Sequence, residues 1–340
     1  MAAKIRIGVV GCGYWGPNHL RVFSQLSGST VTAFADLDAK RLATIGAQYP
    51  DAKGYSDFKA LVADPNVDAV VVCVPTKRHF EVAKAALEGG KHVLCEKPLT
   101  VDPAESQILS ELATKHQRIL MTGHVFLFNP GILKLKELIT VGTPGRLYYL
   151  RALRTNLGPV RHDVNAVYDL ASHDIAIFNF LLNATPISAS AVGQAFLQPG
   201  IEDLAFISLK YPNDVMANIQ VSWLDPKKLR EIVVVGDKQM VVWDELAPAG
   251  PISIYDKGIV KEQYYDSFGQ FQLLAREGDI TIPRVKPAEP LKVQNQAFLD
   301  CITAGTIGFS DGPFSVGVVN ALDAIARSLA AHGAPMQVAQ

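Results

Sequence analysis

The sequence predicts an α/β protein: a doubly wound parallel sheet at the N-terminus, followed by an α+β domain with a large, open, mostly antiparallel sheet. Three observations predict this arrangement. Short β-branched runs alternate with helix-length amphipathic stretches in the first third of the chain, and a glycine-rich turn follows the first run. After about residue 123 the predicted strands follow one another directly. At 340 residues the chain is long enough for two domains, placed at 1–123 and 124–340.

Five strands and four helices are predicted in the first domain. β-Branched and apolar runs mark the strands at residues 4–10, 30–35, 68–74, 91–95 and 118–122. Apolar residues at helical spacing mark the helices at residues 18–26, 39–48, 79–88 and 103–116. Strands and helices in this alternation require parallel pairing with right-handed crossovers.

The second domain has a different texture. Strands separated by short polar turns are predicted at residues 147–153, 187–197, 205–211, 215–223 and 231–235. Helices are predicted at residues 169–182, 293–304 and 314–331. Residues 245–292, rich in proline and glycine, read as a long irregular segment. Consecutive strands without intervening helices favour antiparallel pairing.

Composition excludes several classes of protein. Hydrophobic residues make up 49% of the chain and charged residues 19%, which argues against disorder. The 32 basic and 33 acidic side chains leave a net charge of -1, so no global field attracts nucleic acid or an anionic membrane. No apolar run is long enough for a signal peptide or a membrane span, and the four cysteines have no metal-ligand spacing. We therefore expect a cytoplasmic protein without a metal site.

The first glycine-rich turn has the spacing of a dinucleotide-binding loop. Gly11, Gly13 and Gly16 follow a predicted strand and precede a predicted helix, as GxGxxG does in a Rossmann domain. The free N–H groups at the helix start would face a pyrophosphate. Asp36 ends the second strand and suits the adenosine ribose hydroxyls, which favours NAD over NADP. The alternative is an ordinary glycine-rich turn between a strand and a helix.

The turn Glu96-Lys97-Pro98 follows the fourth predicted strand directly. Doubly wound sheets bind ligands at the carboxyl ends of their strands, so the Lys97 ammonium is expected to project toward a nicotinamide. On spacing alone, an exposed ion pair between Glu96 and Lys97 is an equally good interpretation.

A third candidate is the pair Asp169 and His173, four residues apart on one helical face. The pair fits half a metal site, a structural pair near a helix start, or a general base with the group that orients it. No further ligands accompany it, so the metal interpretation is disfavoured.

These residues together resemble one family. The segment GCGYWG, Val74-Pro75-Thr76 with His79, the CEKP turn and DLASHDI are similar to the glucose-fructose oxidoreductase and inositol dehydrogenase (Gfo/Idh/MocA) family. The resemblance spans nearly the whole chain. It implies a Rossmann domain followed by an open-sheet domain that commonly forms the oligomer interface, and thus a dimer or tetramer.

The resemblance also implies roles for individual residues. Lys97 belongs to the active site, and Asp169 and His173 match the family pattern DxxxHD. The expected cofactor contacts lie along the carboxyl edge of the first sheet: Gly11, Gly13, Tyr14, Trp15, Gly16, Asp36, Thr76, His79, Glu96 and Lys97.

Hydride transfer from a secondary alcohol fits these residues. A base must take the hydroxyl proton, and His173 is the candidate because an unperturbed imidazole titrates nearest neutrality. Lys97 would stabilise the developing alkoxide, and Asp169 would orient the imidazole or hold a neighbouring hydroxyl.

The loop before the Asp169 helix predicts the substrate. Arg154, Arg161 and Asn165 suit a polyhydroxylated anion, so a nucleotide-linked or acidic sugar is the favoured substrate, although a solvated surface loop fits equally well. His124 is expected in the cleft floor, with packing at a domain hinge as the alternative. Inositol or a free sugar is the second choice. A non-catalytic NAD(H) sensor is the alternative from another class, but it would not need Lys97, Asp169 and His173.

Overall fold

A parallel sheet of six strands forms the N-terminal part of the molecule. The computed structural model describes residues 4–263, 271–306 and 308–340. The strands are β1 (Ile5–Val10), β2 (Ser29–Ala35), β3 (Lys53–Tyr55), β4 (Ala69–Val72), β5 (His92–Glu96) and β6 (Leu120–Gly123). Their order is β3-β2-β1-β4-β5-β6, and every adjacent pair is parallel. The direction of the order changes between β1 and β4, which is where doubly wound sheets open a ligand crevice.

Five helices connect these strands. They are α1 (Gly16–Gln25), α2 (Ala39–Gln48), α3 (Phe58–Val62), α4 (His79–Glu88) and α5 (Pro103–Lys115). The side chains of Asp38, Asp57 and Asp102 accept first-turn N–H groups and so fix the starts of α2, α3 and α5. All four residues of β4 are buried, as expected for a central strand covered on both faces.

The second sheet is larger and mixed. Its part of the chain contains α6 (Pro130–Thr140), β7 (Leu147–Leu157), α7 (Ser172–Leu182), β8 (Ser188–Gln194), β9 (Leu204–Lys210), β10 (Met216–Ser222), β11 (Leu224–Gly236), β12 (Met240–Asp244), β13 (Ile252–Tyr255), β14 (Gly258–Gln263), β15 (Phe271–Arg276) and β16 (Ile280–Thr281). The chain ends with α8 (Pro290–Ala304), α9 (Gly312–Ala330) and β17 (Met336–Gln337). The sheet order is β16-β13-β12-β11-β7-β10-β9-β8-β17, while β14 and β15 pair separately.

The pairing in this second sheet is mostly antiparallel. The central pair β7 and β10 is parallel, and the other pairs of the described strands are antiparallel. Along β9, buried and exposed residues alternate, so one face of the sheet is covered and the other is open. The predicted fold class is confirmed.

Contacts within the chain divide it into two compact units. The first unit is Met1–Phe128 with Ala288–Asp323, and the second is Asn129–Pro287 with Ala324–Gln340. The first therefore takes a C-terminal segment that includes α8. The boundaries 1–123 and 124–340 stay predictions. Among the described residues, no helix combines the length and apolarity needed to cross a bilayer.

Candidate active site

The three glycines of the turn after β1 differ in the space that surrounds them. Two are tightly packed against the backbone, and one faces open space where a ligand would approach. Gly11 has φ +95°, and a Cβ there would lie 2.5 Å from the Cys73 carbonyl oxygen. A Cβ at Gly16 would overlap the Gly11 carbonyl. At Gly13, in contrast, the nearest atom to an added Cβ is Nη1 of Arg41 at 3.9 Å. Gly11 and Gly16 thus serve the backbone, while Gly13 leaves the space that a dinucleotide phosphate fills.

The start of α1 provides donors for that phosphate. In the described structure no side chain caps its first turn, which also contains no acidic residue. The N–H groups there are available to an anion. Tyr14 is 81% exposed and Trp15 is 36% exposed, and their rings meet edge to face with centroids 5.5 Å apart. Both predicted residues therefore flank the open side of the turn.

Backbone N–H groups hold Asp36 at the end of β2. Its Oδ2 accepts from the N–H of Cys12 at 2.7 Å, and its Oδ1 accepts from the N–H of Asp38 at 2.9 Å. The Arg41 guanidinium lies 3.7 Å from Oδ2 and is half exposed. These contacts fix the carboxylate beside the glycine turn, where ribose hydroxyls are expected.

Thr76 and His79 are buried below the same edge of the sheet. Thr76 begins a short 3-10 turn and is 3% exposed. The His79 ring lies between two carbonyl oxygens, with Nδ1 2.9 Å from that of Pro98 and Nε2 3.0 Å from that of Val74. Burial lowers the pKa of His79. The ring nitrogens of His79 thus join two turns, and its contact with the cofactor stays a prediction.

The turn after β5 holds Glu96 on several sides. Its Oε1 lies 3.0 Å from Nε2 of His19, and its Oε2 accepts from the Lys97 N–H at 3.3 Å. Glu96 pairs across the sheet with Gly123, where an added Cβ would lie 3.3 Å from Oε1. The Lys97-Pro98 peptide is cis, which the sequence did not predict.

His124 follows β6 and is 1% exposed. Its ring meets Phe314 edge to face with centroids 5.8 Å apart, and neither ring nitrogen has a hydrogen-bond partner in the described part of the chain. Burial, together with the positive charge of Lys97, lowers the pKa of His124 to about 3. His124 is therefore a neutral ring near Lys97 rather than an acid or base at neutral pH.

In the second unit, the side chain of Arg154 is buried and paired with a carboxylate. Its guanidinium donates two hydrogen bonds from Nε and one from Nη2 to the Asp174 carboxylate, at 2.8 to 3.1 Å. Both side chains are at most 3% exposed. Because the guanidinium is buried and already binds a carboxylate, Arg154 joins β7 to α7. Its contact with the substrate stays a prediction.

Asp169 lies in a π-helical turn, Val167–Ala171, immediately before α7. Its Oδ1 accepts from Nη1 of Arg161 at 3.1 Å, and its Oδ2 accepts from Nε1 of Trp223 at 3.2 Å. Arg161 also donates to Asp163. His173 is half-buried in the first turn of α7. The π-helical turn fits a functional site, since such turns recur at them.

Asn165 uses both ends of its amide within the fold. Its Nδ2 donates to Oε2 of Glu202 at 2.6 Å, and its Oδ1 accepts from the N–H of Tyr168 at 3.1 Å. A second link joins the same two loops, because Nε2 of Gln198 donates to the Arg161 carbonyl. Asn165 therefore holds the loop before Asp169 in place.

Sequence reasoning missed several partners of these residues. In the second unit they are Trp223, between β10 and β11, and Gln198 and Glu202, in the loop before β9, and none of them carries a local signal. In the first unit, His19 gave a usable signal: it is a polar residue on the buried face of α1, three positions after Gly16. Among the described residues, no three His, Cys, Asp or Glu side chains gather in a metal-binding group.

Two family models match the chain. An oxidoreductase family with an NAD-binding Rossmann fold matches residues 5–124, and the GFO/IDH/MocA C-terminal domain matches residues 132–242. The chain belongs to the Gfo/Idh/MocA oxidoreductase family. The predicted family, and NAD as the cofactor of its Rossmann domain, are thereby confirmed.

Relatives within the family have different substrates in their names. The chain is 32% identical to inositol 2-dehydrogenase 2 of Saccharopolyspora erythraea over 224 residues, which is 64% of this chain and 66% of that protein. It is 32% identical to the UDP-N-acetylglucosamine 3-dehydrogenase of Acidithiobacillus ferrooxidans over 64% of this chain and 67% of that enzyme. The solved structure of the latter has a TM-score of 0.80 and 26% identity, covering 97% of this chain and 99% of that one.

Proposed function

We propose that this Gfo/Idh/MocA protein catalyses NAD(H)-dependent interconversion of a secondary alcohol and a ketone on a polyhydroxylated ring. The observation that carries the proposal is the position of Lys97. It directly follows β5, at the same carboxyl edge as the glycine turn and Asp36, on the β4–β5 side of the point where the sheet order reverses. In dinucleotide-binding sheets the nicotinamide half lies on that side.

The first unit has the groups that NAD requires. Gly13 leaves room for the pyrophosphate, the first turn of α1 offers N–H donors, and Asp36 would accept from the adenosine ribose hydroxyls. Bound NAD supplies an acceptor for the hydride that leaves the carbinol carbon.

Side chains of the protein would transfer the proton of the substrate hydroxyl and stabilise the charge on its oxygen. His173 would accept the hydroxyl proton as the carbonyl forms, and in the reverse direction would return it to the oxygen. Lys97 would donate a hydrogen bond to the same oxygen and so stabilise its developing charge. Asp169 is held by Arg161 and Trp223, which keeps its carboxylate at a fixed position near the start of α7. A sensor that only binds NAD(H) has no use for these three residues.

The charges around the loop favour an uncharged substrate over the anionic sugar predicted from the sequence. The Arg154 guanidinium is neutralised by Asp174, and that of Arg161 by Asp163 and Asp169. In each arginine the edge between Nε and Nη2, which could bind a phosphate in a bidentate way, already binds a carboxylate. We therefore place a cyclitol or a free sugar first.

A nucleotide-linked sugar is the second candidate. The likeness to the UDP-N-acetylglucosamine 3-dehydrogenase structure favours it, because at 26% identity it extends over nearly the whole of both chains.

A substrate screen tests the proposal. NADH formation is followed by absorbance with myo-inositol, scyllo-inositol and glucose in one set and UDP-N-acetylglucosamine in the other. We expect turnover in the uncharged set. Turnover of the nucleotide sugar alone would reverse the order of the two candidates. Tight NADH binding without turnover of any compound in a wider panel of sugars would favour the sensor.

We also propose that a second copy covers the open sheet face. Tyr149 and Met216 are cross-strand partners, and Phe206 pairs with Val192 two strands away on the same face; all four are 44 to 52% exposed. Four large apolar side chains on one sheet face favour association. Light scattering is expected to give a dimer or tetramer.

The four cysteines are all free thiols, which fits the predicted cytoplasmic location.

A further inference from the structure

We infer that His19 and Asn295 are positioning residues for the Glu96-Lys97 turn, through a hydrogen-bond chain that runs Asn295–His19–Glu96. Nδ2 of Asn295 lies 3.2 Å from Nδ1 of His19, and Nε2 of His19 lies 3.0 Å from Oε1 of Glu96. His19 and Asn295 are fully buried. All three residues belong to the first unit.

The chemistry of the amide fixes the direction of this chain. Nδ2 of Asn295 can only donate, so Nδ1 of His19 must accept and carries no proton. The neutral ring then has its proton on Nε2, where it points at the Glu96 carboxylate. Asn295 therefore selects the tautomer that Glu96 needs, in the way that the partner of one ring nitrogen sets the state of the other.

The chain is anchored in packed structure. α1 and α8 contact each other, and the rings of Phe23 and Phe298 meet edge to face 6.5 Å apart. The His19 ring stacks on Phe23 with centroids 6.2 Å apart. Oδ1 of Asn295 has no hydrogen-bond partner among the described residues, so its amide depends on the contact of Nδ2 with Nδ1 of His19. If either side chain turned away, a further buried nitrogen would be left unpaired, which is costly. The Glu96 side chain is thus held by a ring that is itself buried and packed.

The hydrogen bonds to Glu96 fix the backbone of the Lys97 turn. Oε1 is bound by His19, and Oε2 accepts the N–H of Lys97. Across the sheet Gly123 leaves just enough room for Oε1. Because the carboxylate is fixed on both oxygens, the backbone at Lys97 is fixed as well. The chain lies on the nicotinamide side of the sheet and away from Asp36, which follows β2. The link to the reacting oxygen rests on the role proposed for Lys97.

The test compares two ligands with two variants. NADH contains the nicotinamide half of the cofactor, and ADP-ribose lacks it. His19→Leu fills the space but loses both hydrogen bonds, while His19→Gln keeps a donor for Glu96 and an acceptor for Asn295. We expect His19→Leu to weaken NADH binding about tenfold and ADP-ribose binding less than about twofold. We expect His19→Gln to restore most of the NADH affinity.

A packing role predicts other results. If His19 only fills space, Leu will be tolerated at least as well as Gln, and the two ligands will respond alike. Either outcome overturns the inference. These binding measurements need no substrate, so failure of the proposed reaction would be seen separately in the screen above.

Nitrogen NMR of the histidine rings tests the direction of the chain in the unmodified protein. The His19 signal, identified by its absence in His19→Gln, is expected to show a protonated Nε2 and a bare Nδ1. Asn295→Asp replaces the donor by an acceptor and is expected to bring a proton to Nδ1. The matched control Asn213→Asp makes the same change on an exposed turn of the second unit. A wild-type ring protonated on Nδ1 alone would overturn the inference.

Discussion

Asp36 in the first unit is held by the backbone N–H groups of Cys12 and Asp38, whereas Asp174 in the second unit is held by the buried guanidinium of Arg154. Peptide N–H groups fix a carboxylate without cancelling its charge, and the half-exposed Arg41 guanidinium 3.7 Å away balances that charge only weakly, so Asp36 remains able to recognise hydroxyl groups. A guanidinium cancels the charge that it binds, so Asp174 and Arg154 together act as a neutral fastener. The same side-chain chemistry thus serves recognition in one unit and architecture in the other.

The largest expected effect is on the proposed chemistry of Lys97 and His173. Lys97→Ala and His173→Ala are each expected to lower kcat by about a thousandfold, because each removes a group that acts on the reacting oxygen. NADH affinity should change little. Steady-state kinetics with the substrate found in the screen measure this, with Lys115→Ala on the exposed end of α5 as the control. Unchanged kcat in either variant would remove that residue from the mechanism.

The next effect tests whether Arg154 has a structural role or contacts the substrate. Arg154→Met leaves Asp174 buried without its partner and is expected to lower the free energy of unfolding by about 3 to 5 kcal/mol. Arg151→Met, on the same strand, breaks a partly exposed pair with Glu231 and should cost at most about 1 kcal/mol. Urea unfolding measures both. An Arg154→Met protein of normal stability but raised KM would restore the arginine to the substrate site.

This arginine shows where the sequence is a poor guide. A loop with Arg154, Arg161 and Asn165 reads as an anion site because the residue types are right, but their partners are set by tertiary packing. Asp174 is 20 positions from Arg154, and Glu202 is 37 positions from Asn165, so no local sequence pattern predicts either contact. The net charge of the loop depends on those partners and was therefore not predictable.

The cofactor half was predictable because its signals are local. Gly11, Gly13 and Gly16 are spaced by the geometry of a single turn, and Asp36 ends the next strand. The parallel pairing of five strands followed from alternating strands and helices, whereas the three-residue strand β3, whose Gly54 packs on the Phe34 ring, was not predicted. Strands β13, β14, β15 and β16 all lie within the segment 245–292 that was expected to be irregular. β13 forms because its pairing with β12 outweighs its turn-rich flanks.

Two glycines of one turn sharpen the comparison further. Gly13→Ala has room for its Cβ, so Tm should be unchanged while NADH affinity falls about tenfold or more, since the methyl group occupies the phosphate approach. In Gly16→Ala the new methyl group clashes with the Gly11 carbonyl, so this variant should lower Tm by several degrees in addition to weakening NADH binding. Differential scanning fluorimetry and NADH titration separate the two effects. A normal NADH affinity in Gly13→Ala would contradict the proposed position of the pyrophosphate.

The charge of Asp36 is expected to have a smaller effect, on cofactor choice. Asp36→Asn should weaken NADH binding several-fold, because the amide accepts fewer hydrogen bonds from the ribose hydroxyls. It should also reduce the preference for NADH over NADPH, because the amide repels a 2′-phosphate less than the carboxylate does. Asp38→Asn is the control, since asparagine caps α2 as well as aspartate does. Equal preference ratios in Asp36→Asn and the wild type would mean that the charge of Asp36 is not used for recognition.

The last effect concerns acid stability, and it compares a half-buried histidine of the first unit with an exposed histidine of the second. Burial and the charge of Arg118 lower the pKa of His92, in the first unit, to about 4, while its Nδ1 accepts the N–H of Ile119 at 3.0 Å. An unfolded chain takes up this proton near pH 6.5. The contribution of His92 to stability is therefore complete above pH 6.5 and is lost as the pH falls toward 4. His92→Asn keeps an acceptor and removes the titration, so its stability should fall less over that range in urea unfolding series. His332→Asn, at an exposed position with φ +54° that asparagine tolerates, should follow the wild-type curve. Parallel curves for wild type and His92→Asn would contradict the lowered pKa of this half-buried ring.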